Sequence, residues 1–178
     1  MPPLFQCLKC GDCCRNLIRP SNFYPLSVKV KTGLGLSSGE LALFRKLGCK
    51  TVESLGAGVR GRRRPRPQVI LSYQLDAVTC PLLKGNRCSI YDHRPVLCRA
   101  YPLTDFTEPS VDCRFVKENR QFLATADMLS ARAQVTRWAL KNIEKARELG
   151  ALFAFDIVAR QWVRVPPQIL QIDRSSIR

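Results

Sequence analysis

Apolar residues recur at three- and four-residue spacing through residues 117–149, a stretch that contains no glycine or proline. This periodicity predicts an amphipathic α-helix that ends at Gly150. An unbroken helix of this length would extend about 50 Å, more than a small domain, so we expect a break or a partly exposed end. The predicted apolar face consists of Phe122, Ala126, Leu129, Ala133, Leu140 and Ile143.

Shorter patterns predict the other elements. Ser37 and Glu40 have capping-box spacing and open a short helix that stops at Gly48. Alternating apolar residues predict a strand over 69–75, and the runs LFAFD and QWVRVP predict a hairpin that could cover the long helix. Residues 50–66 are predicted to be a basic loop. The turn-rich stretch 81–113 should form no long element.

Together these elements predict an α+β fold in one domain, residues 1–178. Its cysteine-rich part, 1–115, should be irregular and organised by metal, and should pack with the long helix and short β-hairpin of 116–178. With 46% apolar residues, the chain can bury an ordinary core and is not a disordered protein.

Cysteine spacing is the strongest chemical signal. A C-x2-C turn directs two thiolates at one ion, and the chain has two such turns in tandem before a second, distant cysteine block. The ninth cysteine, Cys49, follows a predicted helix end and is interpreted as a small buried apolar residue. The two blocks are Cys7, Cys10, Cys13 and Cys14, then Cys80, Cys88, Cys98 and Cys113.

Structural disulfides and unliganded thiols are the alternatives to metal binding. The N-terminal sequence MPPLFQCLKC has no apolar core of a signal peptide, and no run approaches the roughly 18 apolar residues that cross a bilayer. Both observations favour a cytoplasmic protein that has no membrane partner. Adjacent Cys13 and Cys14 are poorly suited to bridging each other. Cysteines spaced in this way in an intracellular chain more often bind metal.

Eight thiolates allow three arrangements: two four-cysteine zinc sites, one [4Fe-4S] cluster beside a second cluster or a zinc ion, or a dinuclear site with bridging thiolates. The first three cysteines have the C-x2-C-x2-C spacing of a bacterial ferredoxin loop, for which Cys80-Pro81 could supply the fourth ligand. This detail favours a [4Fe-4S] cluster in at least one site over zinc throughout.

Because consecutive side chains diverge, Cys14 is expected in a second site with Cys88, Cys98 and Cys113. Alternative partitions exchange Cys80 with a member of that set. The C-x3-C-x2-C spacing of radical-SAM enzymes is absent. Cys10 and Cys14 have the first part of this spacing, but Leu17 occupies the position of the third cysteine.

Charged residues suggest further roles. The chain has a net charge of +15, and five arginines within seven positions could contact phosphates of RNA, DNA or an anionic cofactor; a solvated basic loop is an equal alternative. A lone exposed histidine in a turn is more often neither a ligand nor a proton carrier, so neither role is assigned to His93. Arg94 and Arg99 could offset thiolate charge, with Asp92 orienting one of them. The candidate RNA contacts are Arg60, Arg62, Arg63, Arg64 and Arg66.

The motifs CLKCGDCC at 7–14 and CPLLKGNRCSIYDHRPVLCRAYP at 80–102 resemble the CxxCxxCC family of YkgJ-like proteins, described as zinc- or iron-chelating. The resemblance covers about the first 115 residues. It implies that all four cysteines of the first block and Cys80, Cys88 and Cys98 are ligands, with Cys113 as the eighth. A related domain occurs in flagellin lysine N-methylases, which look like iron–sulfur enzymes, but this chain shows no convincing methyl-donor site.

Two function classes follow. The first is a metal-binding protein with a [4Fe-4S] or Zn²⁺ centre, structural or electron-transferring, that docks on RNA or a ribonucleoprotein. The second is an iron–sulfur oxidoreductase or a methyltransferase-like group-transfer enzyme. An enzyme needs an open coordination position, whereas eight cysteines fill two four-ligand centres, so the first class is preferred. No small-molecule substrate is identifiable.

Overall fold

The computed structural model describes residues 1–20, 30–59, 66–103, 109–110 and 112–171. The chain forms two compact units, which are described separately. Unit 1 contains Met1–Leu17 and Thr79–Arg137, and unit 2 contains Ile18–Val78 and Trp138–Arg178. About 37% of the chain is helical and 25% is strand, which confirms the α+β class. The assignment of the whole chain to one domain stays a prediction.

Helices and strands alternate irregularly along the chain. The α-helices are α1 Asp12–Arg15, α2 Ser38–Lys46, α3 Val96–Ala100, α4 Arg114–Glu118 and α5 Ala126–Leu149. The strands are β1 Arg19–Pro20, β2 Lys31–Thr32, β3 Gly35–Leu36, β4 Thr51–Gly58, β5 Val69–Leu75, β6 Leu83–Lys84, β7 Arg87–Cys88, β8 Ala151–Asp156 and β9 Gln161–Arg164. Single 3-10 turns occupy Tyr91–His93 and Pro167–Gln171. Within the described ranges, no helix has the length and apolar character to cross a membrane.

Unit 2 is built on an antiparallel sheet with the strand order β3-β5-β4-β8-β9. The β8–β9 hairpin was predicted, and it packs with the C-terminal part of α5: Ala146 and Ile143 lie in one apolar cluster with Leu152 and Ala154. The predicted strand over 69–75 is β5. The capping box of α2 is also confirmed, since the Ser37 N–H donates to Glu40 Oε2 at 2.8 Å.

The prediction of a loop over 50–66 is wrong for its first half, because β4 is the central strand of the sheet. The sequence of β4, TVESLGAG, does not indicate a strand, since glycine, serine and alanine have low strand propensity. Glycine is needed at position 56 because Pro67 lies very close to it: a Cβ on Gly56 would be 2.4 Å from the Pro67 Cβ. A register irregularity beside Leu55 further obscures the alternation.

The long helical segment is interrupted, as its predicted length suggested: α4 ends at Glu118 and α5 begins at Ala126. The predicted face is wrong in the first half of α5, where Leu129 is 51% exposed and Met128 is buried. In unit 1, Ala131 and Val135 instead pack with Ala100 of α3. Alanines on several sides of the helix fit more than one apolar stripe, so packing determines the face.

Unit 1 has only short elements apart from α5, in agreement with the prediction for 81–113. A two-stranded ribbon, β6–β7, turns at Gly85-Asn86. The N-terminal segment lies beside residue 123, where the Phe5 N–H donates to the Leu123 carbonyl at 2.8 Å. Short elements bury little apolar surface each, so side-chain contacts and ligands have more influence on this unit.

Candidate metal centre

All eight cysteines of the two blocks lie in unit 1, whereas Cys49 is buried in unit 2 as predicted. The first block forms a tight turn in which Lys9 has φ 50° and Gly11 has φ 76°. The turn leads into α1, where the Cys14 N–H donates to the Gly11 carbonyl at 2.9 Å. A positive φ is uncommon for lysine, so the backbone is strongly curled between the first two cysteines.

Direct contacts join the two cysteine blocks. The Cys80 N–H donates to the Cys14 carbonyl at 2.7 Å, and Thr79 Oγ1 donates to the Arg15 carbonyl at 3.3 Å. Arg15 also reaches the β6–β7 turn, where its Nη2 donates to the Gly85 carbonyl at 3.3 Å and contacts Asn86 Oδ1. The second block is therefore held against the first by groups other than thiols.

Three phenylalanines connect the first and last cysteines. Phe5 precedes Cys7 by two residues, and Phe115 follows Cys113 by two. Their rings lie edge to face with centroids 5.0 Å apart, and Phe122 packs on both at 5.7 and 5.8 Å. Edge-to-face aromatic contacts are favourable, so this cluster holds the two ends of the cysteine-rich region together.

Cys14 contacts two other thiols. Its sulfur lies 3.9 Å from that of Cys13, and it also hydrogen-bonds the Cys80 thiol. Hydrogen bonding to Cys13 and then to Cys80, together with burial, raises the pKa of Cys14. Donation from Cys14 lowers the pKa of Cys80 to about 6. Within this pair, Cys80 is thus the sulfur that ionises first and accepts the hydrogen bond.

Burial raises the pKa of the remaining second-block thiols, Cys88, Cys98 and Cys113. Repulsion from Cys13 contributes to each shift, so Cys13 lies within electrostatic range of all three. Arg94 acts in the opposite direction on Cys88 and Cys98. Thiols crowded in this way resist simultaneous ionisation, and a bound cation would offset their charge.

Cys13 lies near Cys14 and within electrostatic range of three thiols of the second block. In the described part of the chain, which includes all eight cysteines, no group of three or more His, Cys, Asp or Glu side chains is arranged to hold a metal ion. The donor set itself suits zinc or iron, both of which bind thiolates. The eight-ligand assignment stays a prediction.

The contacts bear on how the cysteines would be shared. The proximity of Cys14 to both Cys13 and Cys80 favours a partition in which Cys80 is exchanged into the set that contains Cys14. It also suits the arrangement with bridging thiolates.

Tyr91 contacts two basic residues and one thiol of the candidate site. The Arg94 guanidinium lies 3.8 Å from its ring centroid, and Arg94 Nε donates to the Tyr91 carbonyl at 2.8 Å. Lys9 Nζ lies 5.6 Å from the same centroid, and the Tyr91 hydroxyl hydrogen-bonds Cys7. Sequence reasoning identified Arg94 but did not predict its contact with Tyr91, three residues away.

Other candidates are placed as follows. Arg99 pairs with Asp127 of α5, with Nε 3.2 Å from Oδ1, a partner that sequence reasoning missed. The role suggested for Asp92 stays a prediction, and His93 is exposed. Arg60, Arg62, Arg63 and Arg64 lie outside the described residues, and Arg66 is exposed.

Comparison with known proteins gives one family. No curated protein and no solved structure matches the chain. The sequence model of the CxxCxxCC family, described as "Putative zinc- or iron-chelating domain", matches residues 6–122, which include both cysteine blocks and the structural contacts between them. The chain therefore belongs to the CxxCxxCC family of zinc- or iron-chelating domains.

Proposed function

We propose that the protein binds Zn²⁺ through a thiolate centre that stabilises unit 1 and has no catalytic role. The separation of the Cys13 and Cys14 sulfurs, 3.9 Å, carries this proposal. Two thiolates on one tetrahedral Zn²⁺, at about 2.3 Å each, lie roughly 3.8 Å apart. The thiolates of a [4Fe-4S] cluster bind different irons and are farther apart, so the observed spacing supports a shared ion.

The surroundings also support a structural centre. Unit 1 has short elements that need cross-links, and the eight cysteines can close every coordination position of tetrahedral ions. Arg94 supplies positive charge beside Cys88 and Cys98, which reduces repulsion in an all-thiolate site. These features match a closed structural site better than a catalytic one, which keeps a position for substrate.

Elemental analysis of anaerobically purified protein tests the proposal. We expect stoichiometric zinc, no acid-labile sulfide, and no visible absorption from iron. Cobalt substitution should give strong thiolate-to-metal charge-transfer bands, and the Cys49→Ala variant should retain all the metal because Cys49 lies in unit 2. Wild-type protein that contains neither zinc nor iron would contradict the proposal. Loss of zinc in the Cys49→Ala variant would contradict it as well.

A [4Fe-4S] cluster is the second candidate, because Cys7, Cys10 and Cys13 keep the ferredoxin spacing and Cys80 is followed by proline. Such a centre would transfer electrons, or would serve an oxidoreductase or group-transfer enzyme. Iron and sulfide in equal amounts, with an absorption that bleaches on reduction, would replace the zinc proposal by this one.

The distribution of charge favours RNA as a partner through unit 2. Unit 1 has 11 basic and 7 acidic residues, whereas unit 2 has 18 basic and 7 acidic residues, a net charge of +11. Thiolates would make unit 1 still less basic, so polyanions should bind unit 2. Arg66, the one candidate arginine among the described residues, is exposed in the connection between β4 and β5.

Salt dependence of RNA binding tests this partner. Replacing all five candidate arginines, Arg60, Arg62, Arg63, Arg64 and Arg66, with serine should weaken binding and flatten the log–log salt slope by roughly 0.7 to 0.9 per lost phosphate contact. A matched control removes five exposed charges elsewhere in unit 2: Lys46, Lys50, Lys141, Lys145 and Arg164. Equal losses in both variants, or no affinity in the wild-type protein near physiological salt, would contradict the proposal.

A further inference from the structure

Arg15 joins three parts of unit 1 through one guanidinium group. Its Nη1 donates to the Cys10 carbonyl at 2.7 Å, and its Nη2 reaches the β6–β7 turn at the Gly85 carbonyl and Asn86 Oδ1. The turn is 70 residues away in sequence from Arg15. These contacts place the first cysteine block beside the strand that carries Cys88.

Gly11 makes room for this guanidinium. A Cβ on Gly11 would lie 2.9 Å from Arg15 Nη1 and 3.2 Å from Leu83 Cδ1. The positive φ of Gly11 also disfavours any other residue there. The glycine between Cys10 and Cys13 therefore permits both the tight turn and the close approach of Arg15.

Asp12 extends the same network to the last cysteine. Its carboxylate lies 3.5 Å from Arg15 Nη1 and 3.0 Å from Nη2 of Arg114, the residue after Cys113. Hydrogen bonding from the Cys10 thiol is the largest cause that lowers the pKa of Asp12. Asp12 thus contacts both ends of the cysteine-rich region.

We propose that Arg15 is a positioning residue for the metal centre, which holds the first cysteine block against the β6–β7 turn before metal binds. This inference rests on the proposed metal-binding function. An exposed ion pair alone contributes little, about 0–1 kcal/mol, so Arg15 acts through its hydrogen bonds to fixed carbonyls. Holding distant ligands together in the metal-free protein reduces the ordering that metal binding would otherwise require.

The forked shape of the guanidinium is required for this role. One planar group reaches two carbonyls and a side-chain amide, which a lysine ammonium on a flexible stem cannot do with the same geometry. Arg15→Lys preserves the charge and Arg15→Gln removes it. If geometry matters, both variants should bind metal more weakly. If charge alone matters, only the glutamine variant should.

The experiment compares zinc affinity, measured by competition with a chromophoric chelator, in wild-type protein and in the Arg15→Lys, Arg15→Gln and Gly11→Ala variants. We expect an affinity loss of about 10- to 100-fold for each, with unchanged zinc stoichiometry. Arg87→Gln is the matched control, because it removes an exposed arginine from the same ribbon. It should bind zinc like the wild-type protein.

A second measurement does not depend on metal. Amide hydrogen exchange of the metal-free protein should become faster at Leu83 and Ser89 in Arg15→Gln, because the β6–β7 ribbon loses its attachment. Unchanged affinity and unchanged exchange in the Arg15 variants would overturn the inference while leaving the proposed function intact. An equal loss in Arg87→Gln would also overturn it. Wild-type protein that binds no zinc would instead reject the proposed function.

Discussion

Asp156, at the end of β8, shows how one side chain can fix a turn in unit 2. Its Oδ1 accepts hydrogen bonds from the Val158 and Ala159 N–H groups at 2.9 and 2.7 Å, and its Oδ2 accepts one from the Lys31 N–H at 3.1 Å. Desolvation opposes ionisation, but donation by these three amides outweighs it and lowers the pKa of Asp156. The carboxylate therefore joins the β8–β9 turn to β2.

We predict that Asp156→Ala lowers the free energy of unfolding at neutral pH by about 1–3 kcal/mol, because three partly buried backbone amides lose their acceptor. A lowered folded-state pKa stabilises the protein above the unfolded value of about 3.9, and this contribution disappears as pH falls through the folded pKa. The difference between variant and wild type should therefore shrink below about pH 4.

Urea unfolding at a series of pH values measures this difference. Glu144→Ala, a change at an exposed position of α5, provides the control and should leave the unfolding free energy nearly unchanged. A difference between Asp156→Ala and wild type that stays constant down to strongly acidic pH would show that the carboxylate charge is not responsible.

At the scale of elements, local signals predicted what local interactions determine. The capping box at Ser37 and the β8–β9 hairpin depend on residues near each other in sequence, and both were predicted. Strand β4 was missed because it contains Gly56, which is required by the close approach of Pro67. The buried face of α5 was misassigned because it is determined by packing against α3. Each error involves a partner that the local pattern does not contain.

The candidate site shows the same division. Spacing identified the cysteines, since a C-x2-C turn is a local ligand pattern. It could not identify Arg15 or Asp127, whose partners lie 70 and 28 residues away in sequence. It also suggested that Cys13 and Cys14 diverge, whereas the backbone around α1 places their sulfurs 3.9 Å apart.

At the scale of the molecule, all eight predicted ligands belong to unit 1 and the sheet core belongs to unit 2. We predict that chelation of the bound metal under reducing conditions accelerates amide exchange in unit 1, notably at Cys80 and Ser89. The amides of β4 and β8 should remain protected, because their core contains no ligand.

Exchange followed by mass spectrometry, before and after chelation, measures this effect. Metal restoration should return the exchange of unit 1 to its initial rate, which serves as the control for irreversible damage. Equal deprotection of β4 and β8 would show that the sheet depends on metal as well.

The hydrogen bond from the Cys80 N–H to the Cys14 carbonyl joins two positions that a ribosome makes at different times. All of residues 18–78 must be synthesised between them. At roughly 5–20 residues per second, the first four cysteines exist for on the order of 3–13 s before Cys80 is added. For part of that interval the nascent chain exposes these thiols without their partners, so oxidants and free metal ions near the ribosome can react with them before the second block is available.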